Sequence, residues 1–184
     1  MVIDTLNGIE TQCHKTVCDR DYKGDMSNKG FLDHYVGFRS SLPDWRKLLK
    51  KIDDLRDNRK MCVIALCHRV LRRVNNPHGK DYDKYEPGFL ARPTWDATYQ
   101  MVDAVLYMAF NITVDQSDMS DARSTKGKPS GGRKRLLHCV PNVAFDAKNR
   151  LGLPAEINAD GGGKVAWNNL VTAISEARKK GTQT

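Results

Sequence analysis

The sequence predicts an α/β fold, a mostly parallel sheet flanked by helices. Two continuous apolar runs carry that reading, "KMCVIALCHRV" at 60–70 and "VDAVLYMAFNI" at 102–112. A strand buried on both faces of a parallel sheet has no reason to alternate polar with apolar residues. The third observation is the stretch ahead of them, where Phe38, Leu42, Trp45, Leu48, Leu49, Ile52 and Leu55 recur at three and four residues. That spacing predicts an amphipathic helix over 38–59, and helix and strand in succession argue for βαβ units.

Taken in order, residues 1–5 form a strand that ends in Asp4 and Thr5, and 6–13 begin a helix. Residues 14–37 are polar, glycine-bearing and aperiodic, which predicts a long loop or lid. A helix at about 93–101 joins the two apolar strands. Residues 116–135 hold six basic and two acidic side chains with Gly-Lys-Pro and Gly-Gly, and predict a mobile basic loop. A strand resumes at 135–141, a turn-rich connection follows at 145–154, and a terminal helix covers 165–179. The expected organisation is a core over 1–160 and a C-terminal helix and tail over 161–184, without internal repeats.

Thirty basic against twenty-two acidic residues leave a net charge of +8, which favours polyanionic partners such as nucleic acid. The five cysteines are an odd number, and two of them lie inside the apolar run at 60–70 with no signal peptide ahead. A reducing cytoplasm is the expected setting. The longest apolar stretch, "MCVIALC", falls far short of the roughly 20 residues that span a bilayer.

A hydrophobic run ending in Asp-Thr suits the metal-binding strand of a P-loop ATPase, whose aspartate holds Mg²⁺ through water because that ion keeps most of its hydration shell. The alternative is an aspartate that caps the next helix. The partner motif G-x-x-x-x-G-K-[ST] does not occur: Gly127-Lys128 precedes Pro129 and Gly163-Lys164 precedes Val165. His68 ends an apolar strand at the sheet edge where α/β folds place ligands, as a phosphate sensor or as a histidine satisfied by backbone. Lys148 and Arg150, two apart on an extended segment, project to one side as phosphate-stabilising fingers or as a solvated pair.

Tyr82 and Tyr85 are interleaved with Lys80 and Lys84 and follow Arg69, Arg72 and Arg73. Rings that stack on bases and cations that track phosphates suit single-stranded nucleic acid, and the alternative is a polar loop with locally packed tyrosines. Cys13, His14 and Cys18, or Cys67 with His68, lack the paired spacing of a zinc site, so structural or incidental cysteines are expected.

Together "MVIDTL", "GFLDHYVGFRSSLPDWRKLLKKIDDLR", "MCVIALCHRV", "NPHGKDYDKYEPG", "VDAVLYMAF" and "AFDAKNRLGLPAEI" resemble the phage-encoded RecA-like ATPases of the AAA family, which include single-strand annealing recombinases. The resemblance runs from residue 2 to about 160 and is most specific in "DYDKY" and "AKNRLGLP". It implies a partial RecA-like P-loop NTPase fold beginning at the Walker B strand, with ATP and Mg²⁺ as cofactors and the cytoplasm of a bacterial host as location. It makes Asp4 the magnesium-associated aspartate, with Thr5 beside it at the nucleotide, and His68 the sensor. Lys148 and Arg150 become fingers reaching a neighbouring subunit's nucleotide, and 69–90 a DNA-contacting loop.

In that family the phosphate loop precedes the metal-binding strand. The resemblance therefore implies a chain lacking an N-terminal segment, through a late start codon, a split gene or a gene fragment. Such a chain does not hydrolyse ATP alone, and forms a homo-oligomer when the segment is supplied. Two functions follow from different classes: an ATP-dependent single-stranded-DNA-binding recombination protein, or a non-catalytic nucleic-acid-binding or interaction module derived from that fold.

Overall fold

A computed structural model describes residues 1–115 and 128–181. They fall into two compact units, Met1–Val102 and Asp103–Thr184. The mixed α/β class holds, but the sheets are small.

In the first unit β1 (Val2–Ile3) pairs in parallel with β2 (Ile64–Ala65). Between them run α1 (Leu6–Asp21) and α2 (Val36–Arg59), linked through a 3₁₀ turn at Asp33–Tyr35. The Thr5 hydroxyl starts α1 by accepting the Gly8 N–H at 3.2 Å, as an N-cap does. The helix then continues through residues expected to be loop. Its buried face is Leu6, Glu10, His14, Val17 and Cys18, a helical spacing in which two members are polar. Apolar periodicity was therefore not visible over 14–21.

The periodic stretch forms α2, which buries Ser41, Trp45, Leu49 and Ile52. Gly37 lies so close to Phe31 that a Cβ there would run into the Phe31 carbonyl. Phe31 is itself fully buried with Val17 and Cys18, and Tyr22 and Phe38 pack around them. At the other end of the unit, Trp45 meets Phe89 edge-on at 5.9 Å, and Phe89 packs on Trp95 of α3 (Arg92–Met101) at 5.3 Å.

The run at 60–70 is not a central buried strand. Only Ile64 and Ala65 enter the parallel pair, Met61 and Leu66 are exposed, and from Arg69 the chain is already in an antiparallel hairpin of β3 (Arg69–Val74) and β4 (Tyr82–Pro87). Among the described residues β1–β2 is the one parallel pair, so the ladder has no second neighbour to bury the run.

In the second unit β5 (Ala104–Val105) pairs antiparallel with β8 (Lys148–Asn149). A three-stranded antiparallel sheet follows the order β6 (Tyr107–Asp115), β7 (Lys128–His138), β9 (Glu156–Asn158). The run at 102–112 is thus divided between β5 and the edge strand β6, both antiparallel to their partners, rather than one parallel core strand. The terminal helix α4 (Gly163–Gly181) adds Ala173 to a core of Leu137, Cys139, Leu153, Ile157 and Ala159.

The basic segment 116–135 divides. Residues 128–135 belong to β7, because they pair with β6, and 116–127 lie outside the described residues. The pairing slips between Phe110, opposite Arg135, and Ile112, opposite Gly131. A bulge of this kind brings backbones close: a Cβ on Gly132 would run into the Asn111 carbonyl oxygen. Among the described residues no helix is long and apolar enough to cross a membrane.

Candidate functional site

The parallel pair ends where the expected nucleotide residues sit. Its ladder continues through the Leu66 N–H to the Ile3 carbonyl (2.8 Å) and the Leu6 N–H to the Leu66 carbonyl (2.9 Å). Asp4 is exposed at this end, and the Thr5 hydroxyl is already engaged as the α1 cap. His68 is exposed at the same end of the pair, its amide donating to Asn7 Oδ1 at 2.8 Å and its carbonyl accepting the Gly88 N–H at 2.7 Å. Asn7 Nδ2 also donates to the Gly88 carbonyl at 2.6 Å. One side chain of α1 thus clamps the residue before β3 and the residue after β4. Asn7 was not legible as a site residue, since an asparagine in a helix's first turn carries no distinctive signal.

Glu10 was missed for a related reason. Its buried carboxylate accepts the N–H groups of Leu90 (2.7 Å) and Ala91 (3.1 Å) at the start of α3. Burial raises its pKa, and those amides, the Thr94 side chain and the Arg72 charge pull it back down. A carboxylate at this position also complements the positive end of the helix. His14, one turn on, has its Nε2 3.9 Å from Glu10 and its Nδ1 buried without a hydrogen-bond partner. Burial lowers its pKa to about 4.

The hairpin sorts the expected DNA-binding residues onto two faces. Opposite partners in an antiparallel pair share a face, so Arg69, Leu71 and Arg73 stand with Tyr85, while Arg72 stands with Lys84 and Tyr82. On the first face the Arg69 guanidinium lies 4.6 Å over the Tyr85 ring and Leu71 is exposed. Arg73 pairs with Asp81 at 3.3 Å, and Lys80 is exposed in the turn. On the second face Arg72 is a tether as well as a cation: it donates to the Phe89 carbonyl and lies 3.8 Å from Glu86. Arg92 also reaches Glu86, at 3.1 Å. A lone two-stranded ribbon is marginally stable, and these ties with the Asn7 clamp fix its base.

Lys148 and Arg150 belong to the second unit. They are two apart around an extended pair, but Lys148 is only 8% exposed whereas Arg150 is exposed. Burial, and then the neighbouring Arg150 charge, push the Lys148 ammonium below the usual lysine range, with Asp103 acting against them. The two outward-facing cations expected from spacing are therefore one exposed guanidinium with a covered ammonium beside it. Packing, which alternation does not encode, decided this.

Asp4 is exposed with no polar partner among the described residues, which suits an outer-shell carboxylate for hydrated Mg²⁺. Nucleotide phosphates need converging free N–H groups. At the start of α1 the Gly8 amide is taken by Thr5, and before α3 the Leu90 and Ala91 amides are taken by Glu10. The described residues at this end therefore do not fit a triphosphate. Cys13, His14 and Cys18 line one helix, and among the described residues no cluster of His, Cys, Asp or Glu is arranged to hold a metal ion.

A family model described as "AAA domain" matches residues 1–151. Neither a curated protein nor a solved structure matches the chain. The match runs from β1 through β8 and includes Asp4, His68, the hairpin, Lys148 and Arg150. Dependence on nucleotide and Mg²⁺ is general in such domains. With most of its length matched, the chain belongs to the AAA domain family of nucleotide-binding, AAA-type ATPase domains.

Proposed function

We propose that this chain is a phage single-stranded-DNA-binding recombination protein of the ATP-dependent RecA-like type that does not hydrolyse ATP alone and forms a homo-oligomer when a phosphate-loop segment is supplied, in the bacterial cytoplasm, with the hairpin 69–87 as its DNA-contacting element. The observation that carries the reading is the first face of that hairpin. The Arg69 guanidinium covers the Tyr85 ring, beside exposed Leu71 and Arg73, on a ribbon pinned at its base. Cations meet phosphates there, and rings or guanidinium planes stack on unpaired bases. Asp4 is the magnesium-associated carboxylate, supported by its exposed place at the end of β1, and His68 is the sensor at the end of the neighbouring strand. Arg150 is the exposed finger, and Lys148 lies covered beside it.

Fluorescence anisotropy with a labelled oligonucleotide at several salt concentrations tests the interface. Binding is expected to fall with salt at a log–log slope near −0.7 per phosphate contacted. Tyr85→Ala should weaken binding by about 1–3 kcal/mol with little change in slope, whereas Arg73→Ala should remove about one contact from it. Arg72→Ala should also loosen the hairpin, because Arg72 holds the Phe89 carbonyl. A flat slope with no effect from either tyrosine, Tyr82 or Tyr85, overturns the interface.

The non-catalytic alternative, a nucleic-acid-binding or interaction module, is favoured by one observation: the amides before α3 and in the first turn of α1 are already capped from within the chain. Calorimetric titration with Mg-ATP is expected to show weak binding or none. A dissociation constant in the low micromolar range or tighter would reveal a phosphate site elsewhere and remove the support for this alternative.

A further inference from the structure

The edge strand of the second unit presents a face that its core does not use. Met108, Phe110 and Ile112 occupy alternate positions of β6 and are 53%, 49% and 53% exposed. Their exposure follows from the sheet order. Met108 lies opposite Leu137, which lies opposite Ile157, so all three share a face, yet only Leu137 and Ile157 are buried with Ala173 of α4. The helix covers β7 and β9 and leaves β6 open. Over this strip the Arg135 guanidinium sits 5.1 Å from the Phe110 ring centroid. Beside it β7 carries Arg133, Lys134 and Arg135 in succession, with no acidic residue between Lys128 and His138.

We infer that the Met108, Phe110 and Ile112 face of β6, with Arg135, is a second contact for single-stranded nucleic acid, separate from the hairpin 69–87. The inference takes its partner class from the reading proposed above and rests on it to that extent. Charge argues for a polyanion, since the centre of a protein–protein interface is depleted of charged residues and here the Arg135 guanidinium lies over the ring in the middle of the strip. Spacing argues for an unpaired strand. Alternate side chains on a strand repeat at about 6.8 Å, twice the rise per residue, whereas duplex bases are stacked at about 3.4 Å with their faces hidden. Bases splayed apart are the form that can reach Phe110, its aliphatic neighbours and the guanidinium plane.

The chemistry also repeats. Each compact unit has an antiparallel strand pair in which an arginine covers an aromatic ring next to an exposed apolar side chain, Arg69 with Tyr85 and Leu71 in one, Arg135 with Phe110 and Met108 in the other. Two contacts on one chain strengthen binding to a strand long enough to reach both, through effective concentration.

The test uses the full chain and a long oligothymidylate carrying photoreactive halogenated uracils, with cross-linked peptides identified by mass spectrometry. Cross-links at Phe110 or elsewhere in 107–112 and 134–138 are the expected result. Cross-links confined to 69–87 overturn the second contact and leave the first standing; cross-links in 107–112 or 134–138 alone support the second and overturn the first; none in either region overturns both. In parallel, Phe110→Ala is expected to weaken oligothymidylate binding about 5- to 100-fold, and Arg135→Ala to reduce the salt slope by about 0.7. If Phe110→Ala leaves DNA binding unchanged and alters the oligomeric state in sedimentation, the strip joins protein copies and the inference is wrong.

Discussion

Replacing Trp45 by alanine is expected to cost about 3–5 kcal/mol, enough to unfold the first unit of a marginally stable chain at ordinary temperature. The side chain is 1% exposed and lies where three elements meet. Its indole N–H donates to Thr98 Oγ1 on α3 at 2.9 Å, and its ring meets Phe89 in the connection from β4. Thr98 in turn donates to the Thr94 carbonyl at 2.8 Å, so the indole ends a chain of hydrogen bonds that the buried threonine has no other way to complete. Alanine leaves a cavity and an orphaned hydroxyl oxygen together. Trp45→Phe separates the two effects: it keeps most of the apolar volume and loses the hydrogen bond, at about 1–3 kcal/mol. Urea unfolding followed by circular dichroism measures both. A Trp45→Ala loss below about 1 kcal/mol would show that α2 and α3 are not held together at this point.

The second large effect is a pH dependence centred on His14. The imidazole is 2% exposed, lies 4.9 Å from Phe38 and 5.7 Å from Phe31, and is held neutral with its pKa lowered from 6.5 to about 4 by burial. A base whose folded pKa lies below its unfolded value contributes stability that is complete above the unfolded pKa. That stability is lost as pH falls toward the folded pKa, because the unfolded chain takes up the proton first. The window is therefore pH 6.5 down to about 4, and the loss approaches about 3 kcal/mol. Glu10 works in the opposite sense. Its raised pKa makes its contribution fullest at low pH, so its protonation offsets part of the His14 loss. His14→Leu removes the titrating group at similar volume and is expected to flatten the acid limb of stability against pH. An unchanged acid limb in the variant would assign the loss to other groups.

Both predictions rest on residues that the sequence presents unequally. Trp45 was legible as core, since it falls in the three-and-four spacing that forms α2. His14 was not. It occupies a buried helical position in a stretch whose inward face includes Glu10, so a search for apolar periodicity passes over it. The structure supplies the missing reason: Glu10 is turned inward to the amides of Leu90 and Ala91, partners eighty positions along the chain.

The candidate sites divide in the same way. The mixture of arginine, lysine and tyrosine over 69–85 was visible as composition, as was the proximity of Asp4 and Thr5 to the end of a strand. Which tyrosine joins which cations was not visible, because register depends on where the hairpin turns. Alternation along β3 separates Arg69 and Arg73 from Arg72, pairing Leu71 with Tyr85 puts that ring with the first two, and the Phe89 carbonyl turns Arg72 into a tether. Likewise Lys148 and Arg150 were visible as a same-side pair, and only packing covered one of them.

The sequence by itself determined the mixed α/β class, the two long helices α2 and α4, the excess of positive charge and the residues from which a nucleic-acid contact can be built. Local periodicity and composition suffice for those. The tertiary structure decided which apolar runs are buried, because an apolar strand reads the same whether its neighbours are parallel, antiparallel or absent. It divided "VDAVLYMAFNI" between β5 and an edge strand with one open face and left "MCVIALC" in a two-stranded ladder, since burial is fixed by the elements that pack against a strand and not by the strand's own residues.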